Sequence, residues 1–144
     1  MHVHAVGEVT PLEAWELLKS DPKAQLVDVR TTAEWSFVGV PDLAQLGRRV
    51  LMIEWSSYPG MARNGEFETQ VAGQLKAHGA GAETPIVFIC RSGARSLSAA
   101  QAMSAKGYRR CFNLAGGFEG DLDGERHRGL QNGWKHEGLP WMQT

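Results

Sequence analysis

Two cysteines in 144 residues rule out a disulfide framework, and neither Cys90 nor Cys111 belongs to a C-x-x-C pair or a Cys/His cluster with zinc-like spacing. Neither sign of charge is in excess. The 15 Lys and Arg against 16 Asp and Glu give no reason to expect nucleic acid or a membrane surface as a partner. No apolar run nears the roughly 18 residues a bilayer demands. Met1-His2-Val3-His4-Ala5-Val6 has neither a basic nor an apolar leader segment, so a cytoplasmic location is expected. Repeats, low-complexity stretches and linkers are missing too, and residues 1–144 read as a single domain, large enough to bury roughly two thirds of its unfolded surface. The five histidines share no spacing, so none is assigned to a metal or to acid–base work.

What is present is an alternation of helical and apolar segments. Thr10-Pro11-Leu12-Glu13 has the form of a capping box with proline at the first helical position, and Leu12, Trp15, Leu17 and Leu18 supply an apolar side as far as about Lys19. Asp21-Pro22 stops that helix, and Leu26-Val27-Asp28-Val29 follows as a buried strand. A helical turn is expected over Thr31–Trp35, a strand over Val50–Ile53, and a helix capped by Asn64 with Phe67, Val71 and Leu75 on one face. Pro85–Ile89 is the clearest strand. Arg95–Lys106 should be a helix closed by Gly107, and Cys111–Leu114 a last short strand. Residues 119–144 read as an irregular wrap with short helical turns. Strands alternating with helices imply a parallel sheet covered on both faces.

Cys90 stands directly after the apolar strand and before a helix, at the carboxyl end of a parallel strand, where open α/β sheets bind ligands. If Arg91, Ser92, Gly93, Ala94, Arg95 and Ser96 curl around the sulfur, their amides and the helix N-terminus form an anion nest, with Arg91 and Arg95 adding positive charge. Such surroundings favour thiolate over thiol. Gly93 is required if the curl takes a positive φ. The plain alternative is a buried cysteine followed by a turn that merely caps the next helix. Cys111 has no such neighbourhood and reads as a small buried hydrophobe.

The loop resembles that of the rhodanese family, C-x-x-G-x-[RT] followed by a small hydroxyl residue, which Cys90, Gly93, Arg95 and Ser96 match. The resemblance extends to Val27-Asp28-Val29-Arg30 with Glu34-Trp35, to Asn113-Leu114-Ala115-Gly116-Gly117, and to Trp134 with Gly138-Leu139-Pro140. It implies a rhodanese-like three-layer α/β fold with a central five-stranded parallel sheet flanked by helices. It also implies a catalytic cysteine that a donor persulfidates, and no bound cofactor. The chain departs from the family at Phe37-Val38-Gly39-Val40-Pro41 and in an extra stretch, Asp121 to Asn132.

The activity expected from this resemblance is sulfur transfer through a Cys90 persulfide, from an anionic donor such as thiosulfate to cyanide, a thiol or a protein acceptor. Mercaptopyruvate users tend to have small neutral residues after the cysteine, and Arg91 departs from that tendency. Cysteine phosphatases of related fold place five residues before the arginine, whereas four separate Cys90 from Arg95, a smaller ring that suits sulfur better than phosphate. The competing functions are a persulfide carrier or protein-binding module without turnover, and a redox sensor. Asp28 and Arg30 read as a structural pair joined by Glu34. Trp15 and Trp35 are expected in the core. Trp55, Tyr58, Gly116 and Gly117, together with the extra stretch carrying Arg126, His127 and Arg128, are candidate walls of the pocket, the plain alternative for the stretch being an ordinary solvated surface loop.

Overall fold

The structure, a computed structural model, describes residues 5–57 and 59–143. In chain order the elements are β1 (Gly7–Val9), α1 (Pro11–Ser20), β2 (Gln25–Asp28), α2 (Thr32–Val38), β3 (Val40–Pro41), β4 (Leu51–Met52), β5 (Ser56–Ser57), β6 (Ala62–Arg63), α3 (Phe67–Ala77), β7 (Ile86–Ile89), α4 (Ala94–Ala105), β8 (Cys111–Leu114) and β9 (Trp141–Met142). Five strands form one parallel sheet in the order β1-β8-β7-β2-β4. Along β7 the side chains alternate between two cores. Ile86 and Phe88, with Cys90 beyond them, join Phe67, Val71 and Leu75 of α3 and Ala99, Ala100 and Met103 of α4 on one face. Val87 and Ile89 meet Ala14 and Leu18 of α1, Leu114, Phe118 and Trp134 on the other. Burial on both faces is why β7 reads as an unbroken apolar run and β2 carries Leu26 and Val27 side by side at its centre.

Local signals set several boundaries. Thr10 and Glu13 form the expected capping box, each side chain bonded to the other residue's amide. Thr31 and Glu34 form a second one, which starts α2 and carries it past the expected turn to Val38. On α1 the inward positions are Pro11, Ala14 and Leu18, while Leu12 is 52% exposed and does not face the core as expected. α3 begins at Phe67 rather than directly after Asn64. The Asn64 carboxamide accepts from the Glu66 amide and donates to Glu54 O and Gln70 Oε1, tying the preceding loop to the helix instead of capping it.

Five strands, β1, β3, β5, β6 and β9, were not expected from the sequence. β1 is three residues long, too short for a period to show, and Gly7 is there because a Cβ would lie 2.7 Å from Cδ1 of Phe112. β9 interrupts the irregular C-terminal wrap by pairing antiparallel with β3. That wrap is anchored by Trp134, fully buried, whose indole N–H donates to Pro140 O and whose ring meets half-buried Trp15 edge-on. Trp35, expected in the core, is only half-buried. Among the described residues no helix is long and apolar enough to cross a membrane.

Candidate active site

Because every strand of the sheet runs the same way, the turns after β2, β7 and β8 converge at one edge, with Cys90 in the middle. Its side chain is buried, with the residue only 1% exposed. The Gly93 amide donates to Sγ at 3.1 Å, and Ser96 Oγ lies 3.2 Å away. Gly93 holds φ +125°, the conformation the curl was expected to need, and its carbonyl accepts from Leu97 N in the first turn of α4. Among the described residues the sulfur therefore has one amide donor and one hydroxyl within reach, fewer groups than the six residues of the loop could offer.

The loop carbonyls are turned the other way and held. Cys90 O accepts from Phe118 N, and Arg91 O from Glu119 N and Gly120 N. Gly117 lies flat against this backbone, and Gly116 against Asn132. Gly117 thus backs the loop from behind, and neither glycine is among the residues lining the cleft over the loop.

The charges divide differently from expectation as well. Arg95 makes a two-pronged bond to Glu34, at 2.7 and 2.9 Å, which fixes α4 to α2 and neutralises the guanidinium. Glu34 therefore joins Arg95, not the Asp28–Arg30 pair. That pair is fully buried: Arg30 Nε and Nη2 bind both Asp28 oxygens, Nη2 also reaches Gly39 O, and the guanidinium stacks on Phe118 at 4.3 Å. Removing one partner would strand a buried charge, so the pair is structural. Among the described residues Arg91 alone offers an exposed, unneutralised cation beside Cys90.

Burial on its own would raise the Glu34 carboxyl, but the hydrogen bonds and charge of Arg95, with those of Thr31, override it and bring the pKa from 4.5 down to about 2. A carboxyl depressed on folding stabilises the protein in full above its ordinary pKa and loses that contribution as pH falls through the folded value. The stability difference between wild type and Glu34→Gln, read from urea melts at stepped pH, is therefore expected to be constant above about 4.5 and to vanish towards about 2.

A cleft of about 570 Å³ opens over the loop, lined by Thr31, Ala33, Glu34, Phe37, Val38, Met61, Arg91, Arg95 and Glu119. Sequence reasoning picked three of these residues. Trp55 instead packs edge-on against Phe67 with Arg63 over its ring, and the hairpin of β5 and β6 sends Met61 to the cleft in its place. Tyr58 lies outside the described residues. In the extra stretch Arg126 and His127 are exposed and do not line the cleft, while Arg128 and Asn132 turn inward to bond the backbone of Gly120 and Asp121. The stretch is tied to the base of the site but forms no wall of it.

Beneath the loop, Asn113 is a further site residue not anticipated from the sequence. It lies in register with Phe88 on the face that carries Cys90, donates to Gly93 O, and sits 2.6 Å from Ser96 Oγ. A polar residue at the carboxyl end of a strand whose other inward positions are apolar was the available signal. Cys111 begins β8 opposite Ile86, at the far end of the sheet from Cys90, and burial pushes its thiol up to about 12.

A parallel sheet of this order, flanked on both faces, with a cysteine loop closing onto a glycine-started helix, defines the rhodanese-like class of α/β domains. The chain belongs to that family: the family model of the STR4 middle domain matches residues 6–144. The solved structure of Rv0390 from M. tuberculosis is 45% identical, superposes with a TM-score of 0.86, and covers 98% of this chain and 99% of its own. An uncharacterized protein of Rickettsia conorii is 34% identical over 140 residues, 96% of this chain and 98% of that one. A protein of Allochromatium vinosum named a sulfurtransferase is 30% identical over 113 residues, 78% of this chain and 85% of that one.

Proposed function

We propose that this protein is a sulfurtransferase that carries sulfane sulfur as a persulfide on Cys90. The observation that carries the reading is the placement of Sγ: at the carboxyl edge of the sheet, under a loop whose carbonyls are turned away and whose Gly93 amide and Ser96 hydroxyl face it. Likeness to a named sulfurtransferase supports it.

In the first step the Cys90 thiolate attacks the outer sulfur of thiosulfate, the S–S bond of the donor breaks, and sulfite leaves with the electron pair. In the second, cyanide or a thiolate attacks the outer sulfur of the persulfide, and Cys90 departs as thiolate. Donor and acceptor then occupy the site in turn. Initial rates with thiosulfate and cyanide should give parallel double-reciprocal lines, and intersecting lines would argue against the persulfide.

Arg91 is the group that draws the anionic donor. Arg91→Ala is expected to raise KM for thiosulfate about tenfold with kcat little changed, and added salt should raise the wild-type KM towards that of the variant. The apolar side of the cleft, with Phe37 81% exposed, Val38 and Met61, leaves room for an acceptor bulkier than cyanide, such as an organic thiol or a protein cysteine. A redox sensor working through an internal disulfide finds no partner thiol, since Cys111 is at the other end of the sheet. Free thiols in a protein without disulfides suit a cytoplasmic setting.

A further inference from the structure

The Ser96 hydroxyl has one proton and three acceptors in reach: Asn113 Oδ1 at 2.6 Å, Gly93 O at 3.2 Å and Cys90 Sγ at 3.2 Å. Hydrogen-bond bookkeeping decides where it goes. Gly93 O already accepts from Leu97 N and from Asn113 Nδ2, which fills both lone pairs. The Nδ2 bond also fixes the carboxamide, because a flipped Asn113 would set Oδ1 against the Gly93 carbonyl. Two oxygens 2.6 Å apart need a proton between them, and Oδ1 has none to give. In the resting protein Ser96 therefore donates to Asn113 and turns a lone pair towards Cys90. That arrangement fits a thiol, whose S–H can point at Oγ. It opposes a thiolate, which needs the hydroxyl to swing round and leave the buried Asn113 oxygen without a donor.

We infer that Asn113 is a positioning residue that competes with the Cys90 sulfur for the Ser96 proton, so that the hydroxyl turns to the sulfur only when Sγ carries charge. The inference rests on Cys90 being the sulfur carrier, and it assigns Ser96 a task in both halves of the cycle. The hydroxyl donates to Sγ when it ionises to attack the donor, returns to Asn113 when Sγ becomes the neutral inner sulfur of the persulfide, and donates again as Cys90 leaves.

The other charged groups around Cys90 are Arg91 in the loop, the Arg95–Glu34 pair between α4 and α2, the Asp28–Arg30 pair at the end of β2, and Glu119 after β8. None of them is altered in the variants that test the idea. Thiolate formation is followed by ultraviolet absorbance against pH, with Cys90→Ser as the baseline and Cys111 silent because its thiol titrates only near 12. Asn113→Leu is expected to lower the midpoint by about one pH unit, since the Ser96 proton is then contested only by the sulfur and Gly93 O, each at 3.2 Å, and a charged sulfur is the stronger acceptor. Ser96→Ala should raise it. In the Ser96→Ala background Asn113→Leu should move nothing.

A shift of equal size in both backgrounds would mean that Asn113 acts only by shaping the loop, and no shift or an upward shift in the single variant would equally overturn the inference. Asn113→Ala, should the leucine variant not fold, must move the midpoint in the same direction. The readout is ionisation, not transfer. A protein that never gains sulfur leaves this result standing, and a failed relay leaves sulfur transfer standing.

Discussion

Gly117→Ala is expected to destabilise the protein by about 2–5 kcal/mol and to disable the site with it. The added Cβ would lie 2.5 Å from Cys90 O and 2.6 Å from both C and O of Arg91. All three are backbone atoms, so no side-chain rotation can give way. The residue also holds φ +62°, which alanine adopts only at a cost. Relief requires either the loop or the Phe118–Gly120 segment to move, and either motion breaks the bonds from Phe118 N to Cys90 O and from Glu119 N to Arg91 O. Urea unfolding should show a lower midpoint at an unchanged m-value, and the folded fraction should transfer sulfur poorly. Wild-type stability in this variant would mean that the clamp on the loop is looser than the geometry states.

Cys90→Ser should lower kcat for thiosulfate-to-cyanide transfer by at least about 10⁴-fold, because no residue lining the cleft carries a thiol that could hold the sulfur in its place between the two steps. Fold and stability should change little: Oγ can still accept from the Gly93 amide, and the residue remains buried at the end of β7. Cys111→Ser, by contrast, should leave kcat within about twofold, since its position opposite Ile86 puts it at the far end of the sheet. Equal losses in the two variants, each normalised to folded protein, would refute a one-cysteine mechanism.

The sequence made legible those features that rest on local chemistry. The Thr10–Glu13 box, the apolar run of β7, and Gly93 with its positive φ each follow from a few neighbouring residues. What it hid were pairings across long distances. Arg95 and Glu34 are 61 positions apart, and nothing near either one reveals that Glu34 neutralises the arginine that follows the Cys90 loop instead of joining Asp28 and Arg30. Met61 and Trp55 lie in one hairpin, and only the fold decides which of them reaches the cleft. Asn113 sat in a motif noted for its glycines, and its role emerges once Ser96, 17 residues earlier, is seen to share a proton with it.

The most direct test of the sulfur-carrier assignment is the intact mass of the protein after incubation with thiosulfate. A single added sulfur atom is expected, located on the peptide containing Cys90, lost on addition of cyanide and absent from Cys90→Ser. A wild-type protein that gains no sulfur from thiosulfate or other sulfane donors, or that carries it on Cys111, would contradict the account.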